Sequence, residues 1–329
     1  MQFVPLNTHA LDNAQAAASG ASAPSSNEGL DPVAKPPVPL ARPGRWIAAS
    51  LVVLACAWFA WILVRNPNFQ WPVVGKYLFS KEILDGVKLT IELTATAMAI
   101  GVSLGVITAL MRLSDNPLLR TAAHAYIVCF RGTPALVQLV FWYNLAALFP
   151  KITLGIPFFG PDFYSINANA LITPVVAANL GLGLCEGAYM AEIVRAGILS
   201  VDPGQREAAA ALGLTRAQTM RRVILPQALR VIVPPTGNQI IGMLKLSSLA
   251  SVISVTELLA AAGLIYTRTF ETIPLLIVAS LWYVSLTSVL TLVQRLIERR
   301  LGRSVQELSD APGLWRRMRL ARTVNTQGG

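Results

Sequence analysis

The feature that most constrains this chain is a series of apolar runs about 20 residues long, the length a helix needs to cross roughly 30 Å of hydrocarbon. They fall near 46–64, 84–111, 120–149, 169–195, 230–254 and 273–297. The expected fold class is therefore an all-α membrane protein with six transmembrane helices. Composition agrees: 54% of the 329 residues are apolar and 13% charged, against about 45–50% and 25% in soluble domains. Pro134, Pro174, Pro234 and Pro235 lie inside spans, where neighbouring helices can re-satisfy the backbone groups that proline frees.

The net charge of +10 reads as topology. No basic face interleaved with aromatics suggests nucleic acid, and the arginines sit between the apolar runs. Of the 27 Lys and Arg, nineteen fall in the two ends and the even-numbered loops and five in the opposite loops. The positive-inside rule then puts both termini in the cytoplasm. Residues 1–44, crowded with Ala, Ser and Pro, cannot bury a core and are expected to be disordered. No cleaved signal peptide is visible there, and Val53-Leu54-Ala55-Cys56 lies inside an apolar run that continues to Val64. Cys56, Cys129 and Cys185 are far apart and His9 and His124 are the only imidazoles, so neither a disulfide framework nor a transition-metal site is expected.

Between the fourth and fifth spans lies a polar stretch over 201–226. Asp202 before Pro203 reads as an N-cap and first helical residue, and the alanines after Glu207 favour helix until Gly213 stops it. Thr215 can cap a second short helix carrying Arg216, Arg221 and Arg222 up to Pro226. Two short helices joined at a glycine make a compact knob able to enter a groove on another protein. Glu207 could also act as a first-turn acid of its own helix.

This stretch resembles the EAA loop of ABC importer permeases: Glu207-Ala208-Ala209, three residues, Gly213, nine residues, Val223 in place of Ile, one residue, then Leu225-Pro226. The resemblance runs from about Gly86 to Arg299 and is to the polar amino-acid branch, the histidine/glutamine-type permeases. It is carried by Phe130-Arg131-Gly132-Thr133-Pro134, Gly187-Ala188-Tyr189-Met190-Ala191-Glu192-Ile193-Val194-Arg195, Leu225-Pro226-Gln227-Ala228, and Lys245 with Ser247-Ser248-Leu249-Ala250-Ser251. It implies a type I importer core in the bacterial inner membrane, with a cytoplasmic coupling helix docked into a separate ATPase. It further implies a second permease subunit, identical or paralogous, an extracytoplasmic solute-binding protein and a polar amino acid as cargo. The domains expected are a tail over 1–44, a first membrane helix over 45–65, a permease domain over 66–300 that includes the coupling loop, and a basic cytoplasmic tail over 301–329. In that tail, Arg316-Arg317-Met318-Arg319 suits anionic lipid.

The chain has no G-x-x-x-x-G-K-S/T phosphate loop, so it is not expected to be an enzyme. ATP and Mg would sit on the partner ATPase, with no cofactor on this chain. On the resemblance, Glu207, Ala208, Ala209, Gly213, Val223, Leu225 and Pro226 are the coupling positions, with Glu207 and Gly213 central. The same resemblance places Glu186, Gly187, Tyr189, Lys245, Ser247 and Ser248 along the substrate path. Ionisable groups at mid-bilayer are functional candidates by default, and Glu186 and Lys245 lie on adjacent spans with opposite charge. They are expected either to clamp the two ends of a zwitterion or to pair with each other. Cys185-Glu186 stands where Asn-Ser is common in relatives, and Leu246 where Asp is.

Other intramembrane charges have simpler readings. Lys88 and Glu92, four apart, and Glu192 and Arg195, three apart, are expected to neutralise each other. Arg131 can snorkel to the cytoplasmic interface, Gly132 with Pro134 shapes a bend, and Phe141-Trp142-Tyr143 forms an interfacial belt or packing face. The outer segments 65–82, 150–168 and 257–272 are too short to capture solute, and Glu257, Arg268 and Glu271 either meet a binding protein or are solvated. The rival reading is a self-contained ion-coupled secondary amino-acid transporter, supported by buried Glu186 and the broken spans. A membrane enzyme lacks any grouping of nucleophile, base and orienter.

Overall fold

The computed structural model describes residues 43–155 and 162–309. The expected N-terminal tail, apart from Pro43 and Gly44, and the C-terminal segment 310–329 lie outside them. The chain divides into a unit ending at Trp61 and a second unit from Ile62 onward. In the first unit the described element is an apolar helix, α1 (Pro43–Arg65), which runs on past the division.

The second unit opens with a short helix, α2 (Trp71–Tyr77), and a long one, α3 (Lys81–Arg112). Next come α4 (Pro117–Gly132), α5 (Ala135–Tyr143) and one turn, α6 (Leu145–Leu148). An antiparallel hairpin, β1 (Lys151–Gly155) and β2 (Asp162–Asn167), pairs Lys151 with Asn167 and leads into α7 (Ala168–Leu171) and α8 (Pro174–Leu199). The polar loop forms α9 (Pro203–Ala211) and α10 (Arg216–Thr219), and a π-turn over Met220–Ile224 continues into α11 (Leu225–Leu246). A 3-10 segment (Ser247–Ile253), α12 (Leu258–Thr269) and α13 (Thr272–Ser309) complete the described chain.

One device starts three of these helices. Asn116, Thr173 and Asp202 each accept a backbone N–H with their side chain, and Pro117, Pro174 and Pro203 follow. The cap satisfies an orphan donor, and proline at the first position forfeits no bond while presetting φ.

The most extensively packed pair is α3 against α8. Gly101 and Gly105 on α3 and Gly183 and Gly187 on α8 let the two backbones approach. A Cβ on Gly101 would stand 2.7 Å from Glu186 Cγ, and one on Gly183 would stand 2.7 Å from an Ile100 methyl. Without a hydrophobic drive between helices in lipid, such four-residue spacing of small residues is what permits close packing. Around this pair sit three apolar clusters: Leu93, Leu139 and Leu182 with Met243; Ile83 and Val87 with Leu258, Leu275 and Val278; and Met190 and Ile198 with Ile224 and Ala228.

Among the described residues, three helices are long and apolar enough to cross a membrane: Ala48–Arg65, Lys81–Arg112 and Thr272–Arg300. Two bent pairs raise this to five if each is one span: α4 with α5, bent by 101°, and the Arg216–Ile253 stretch with α12, bent by 47°. The expected span 120–149 is thus broken at Thr133-Pro134, because a residue before proline is driven from helix into extended conformation and Thr133 lies at φ −100°, ψ 131°. The expected span 169–195 appears as α8, 26 residues long but diluted by Asn179, Glu186, Glu192 and Arg195.

The segment 257–272, expected as an outer loop, is mostly α12, and Glu257 is 0% exposed. Its carboxylate accepts from the N–H groups of Leu259 (3.0 Å) and Ala260 (2.9 Å) and from the Tyr283 hydroxyl (2.7 Å). Thr90 Oγ1 on α3 accepts the Leu258 N–H at 3.1 Å. The free N–H groups of this helix start are therefore satisfied by Thr90 from α3 and by Glu257 itself, and Tyr283 of α13 holds the Glu257 carboxylate by donating to it. Glu257 is neither a docking charge nor a solvated one. Glu257→Ala leaves two N–H groups and a buried hydroxyl without their acceptor and is expected to lower stability by about 2–4 kcal/mol, and Tyr283→Phe by about 1 kcal/mol, read as denaturation midpoints in detergent.

Candidate functional site

Two regions gather the sequence-derived positions. The first is a cleft of about 480 Å³ where the α4–α5 bend faces α8 and α11, lined by Arg131, Cys185, Glu186, Tyr189, Gln239 and Met243 among others. The bend survives in a low-dielectric setting because Gln138 Nε2 donates to the carbonyls of Phe130 and Thr133, both at 3.0 Å, replacing bonds lost at Pro134. Glu186 is 5% exposed and its Oε1 has no hydrogen-bond partner. It reaches this position because Gly101 behind it has no Cβ. The Arg131 guanidinium lies over the Tyr189 ring, 5.1 Å from its centroid, and lines the cleft.

Lys245 is the cation expected opposite Glu186, and the structure does not pair the two: among the described residues no ion pair joins them, and Lys245 is exposed outside the cleft. The cleft takes Gln239, Gly242, Met243 and Leu246 from α11, one face at spacings of three and four, and Lys245 projects about 100° away from it. Ser247 and Ser248 also lie outside; their hydroxyls donate to the Leu244 and Lys245 carbonyls. Gly187 faces the other way, where Leu104 and the Tyr126 hydroxyl fill the space of its missing Cβ. Of the expected path residues, the structure brings Glu186 and Tyr189 together and adds Arg131 and Gln239. The period of α11 carried the signal for Gln239; nothing in the sequence marked Gln138, whose acceptors are five and eight residues away. The expected pairs Lys88–Glu92 (3.7 Å) and Arg195–Glu192 (2.8 Å) are present.

A second cavity, about 500 Å³ between α3, α8, α11 and α13, is almost wholly apolar. Its Gln294 already donates to Pro234 O, Asn238 and Glu298, so it offers little to a polar solute.

The second region is the polar elbow. Asp202 accepts from Gly204 N–H at 2.6 Å. The end of α9 is a Schellman motif, with Leu214 N–H bonded to Ala209 O and Gly213 N–H to Ala210 O, and Gly213 sits at φ +74°. Thr215 and Gln218 then form a reciprocal capping box. Pro226 does not end the second helix, as the sequence suggested. The Leu225 N–H reaches Met220 O, a five-residue step, and the chain runs unbroken into α11. Arg206 donates to Ile198 O at the end of α8 (3.2 Å), and Gln227 on α11 donates to Gln205 (3.5 Å). The elbow is therefore fastened to both flanking membrane helices. Ala209 is buried and Val223 half-buried, whereas Glu207, Ala208, Gly213, Leu225 and Pro226 are exposed, and Leu212 at the tip is 81% exposed. Glu207 lies in the second turn, after Pro203, Gly204, Gln205 and Arg206, so it is not a first-turn acid.

Residues 101–303 match the profile of the binding-protein-dependent transport system inner membrane component family. The chain belongs to this family. It is similar to the arginine transport system permease protein ArgU of Corynebacterium glutamicum, 44% identical over 285 residues, covering 84% of this chain and 88% of that one. It is also similar to the L-cystine transport system permease protein TcyB of Bacillus subtilis, 38% identical over 246 residues, covering 74% and 92%. Among solved structures, an amino acid ABC transporter crystallised with histidines matches at TM-score 0.56 and 38% identity, covering 67% of this chain and 94% of that one. The inward-facing MetNI methionine ABC transporter matches at TM-score 0.52 and 20% identity, a likeness of fold. The chain is thus a permease subunit with the type I importer fold, and the self-contained transporter falls away.

Gln138→Leu keeps the side-chain volume while stripping two bonds from half-buried carbonyls at the bend. It is expected to destabilise the protein by about 2–4 kcal/mol, measured by thermal unfolding in detergent.

Proposed function

We propose that this permease moves a polar amino acid with a cationic group into the cell, handed over by an extracytoplasmic solute-binding protein and driven by ATP and Mg on a separate ATPase. It spans the inner membrane with six helices, α8 counted among them, and both ends cytoplasmic, and works paired with a second permease, identical or paralogous. The observation that carries the cargo is Glu186: a nearly fully buried carboxylate whose Oε1 has no hydrogen-bond partner, lining a cleft that Arg131 also lines. A buried carboxylate left unpaired is costly, and a solute cation arriving in the cleft supplies the missing partner while Arg131 meets the solute carboxylate. Tyr189 and Gln239 border the same space. The name of the arginine permease relative supports a cationic cargo.

The elbow is the coupling element. Exposed Glu207, Ala208, Leu212 and Gly213 form its outer surface, free to enter a cleft on the ATPase, while Ala209, Val223, Leu225 and Pro226 join it to α11. Movement of α9 passes to α8 and α11 through Arg206 and Gln227, and these two helices carry the solute cleft. Family membership and the fastening of α9 support this reading.

The test is uptake by proteoliposomes holding the permease, its ATPase and the solute-binding protein. Glu186→Gln is expected to lower uptake of a cationic amino acid at least tenfold while the ATPase still co-purifies; unchanged uptake overturns the cleft assignment. Gly213→Val places a branched side chain at φ +74° and strains the elbow. Uptake should fall several-fold with solute binding to the cleft retained, and retention of full transport refutes the coupling role.

A further inference from the structure

Along the outer part of α3, Asp85, Lys88, Glu92, Thr96, Ala99 and Ser103 recur at spacings of three and four and are all exposed. They form one stripe on one face. Thr96 extends it sideways by hydrogen bonding to Asn179 on α8. The helix is 32 residues long, about 48 Å, so centring it in about 30 Å of hydrocarbon places Lys88, Glu92, Thr96 and Ser103 at membrane depth. Lys88 and Glu92 are 3.7 Å apart, with side chains 75% and 55% exposed, and no described residue pairs with Asp85.

Three environments could cover such a face. Lipid is excluded by the cost of charges against hydrocarbon. A dry protein interface would have to desolvate three ions, and the attraction of one loose pair does not offset that. Water removes the cost altogether. We propose that the stripe from Asp85 to Ser103 is the hydrated outer wall of the solute path, with Lys88 and Glu92 as a first subsite for the carboxylate and ammonium of a zwitterion. This rests on the permease reading and adds a station outside the Glu186 cleft.

The experiment is labelling of single cysteines by a membrane-impermeant anionic thiosulfonate in the reconstituted full transporter, with the parent chain and its own three cysteines as background. Thr96→Cys and Ser103→Cys are nearly isosteric and keep the fold; Glu92→Cys probes the charged subsite. Ile91→Cys, about a quarter turn round the same helix and likewise exposed in the isolated chain, is the comparator. The stripe positions should react at least tenfold faster than Ile91→Cys, and saturating amino acid should slow Glu92→Cys. Equal or slower reaction overturns the proposal. So does inertness of the stripe combined with oxidative cross-linking of two Glu92→Cys copies, which makes this face a dry permease–permease contact. Absence of uptake by the parent transporter would instead strike the permease reading, since labelling is read without transport.

Discussion

The contact on which the rest of the structure depends is the close approach of α3 and α8. Lipid gives no hydrophobic drive for two membrane helices to associate, so their packing rests on how near the backbones come. Gly101, Gly105, Gly183 and Gly187 supply that nearness, and the spaces they leave are filled by the other helix: Glu186 against Gly101, Met190 against Gly105, Ile100 against Gly183 and Leu104 against Gly187. The same contact shapes the cleft lined by Glu186, because that side chain keeps its place only while Gly101 leaves room behind it.

From that pair the structure extends in two directions. At one end, α8 runs into an elbow with a side-chain cap and proline at its start, a Schellman motif at its glycine, and a capping box at the next turn. Arg206 ties this elbow by a hydrogen bond to α8, and Gln227 of α11 ties its first helix in the same way. At the other end, α3 carries the α12 helix start on Thr90, with Glu257 and Tyr283 completing its hydrogen bonds. Buried polar groups at membrane depth must be satisfied within the protein, and this trio ties α3, α12 and α13 together.

The membrane charges sort by partner. Glu257 is saturated and structural. Glu192 is held by Arg195. Lys88 and Glu92 face each other loosely on an exposed stripe. Glu186 is buried with an oxygen that has no hydrogen-bond partner. Of these four, only the last combines burial with an unsatisfied oxygen.

The sequence by itself determined what local chemistry settles: the apolar runs, the elbow from Asp202 to Pro226 with its cap and glycine stop, the bend at Pro134, and the short-range ion pairs. Each depends on residues within about one or two helical turns. Tertiary structure decided the azimuth and depth of each side chain. Glu257 read as a loop charge because its partners, Thr90 and Tyr283, are remote in sequence, and Lys245 read as the partner of Glu186 because depth along a helix says nothing of which way a residue points. Gln138 and Arg131 gained their places only when the Pro134 bend folded α5 back against α8. Pairings across helices are fixed by packing, which no single segment encodes.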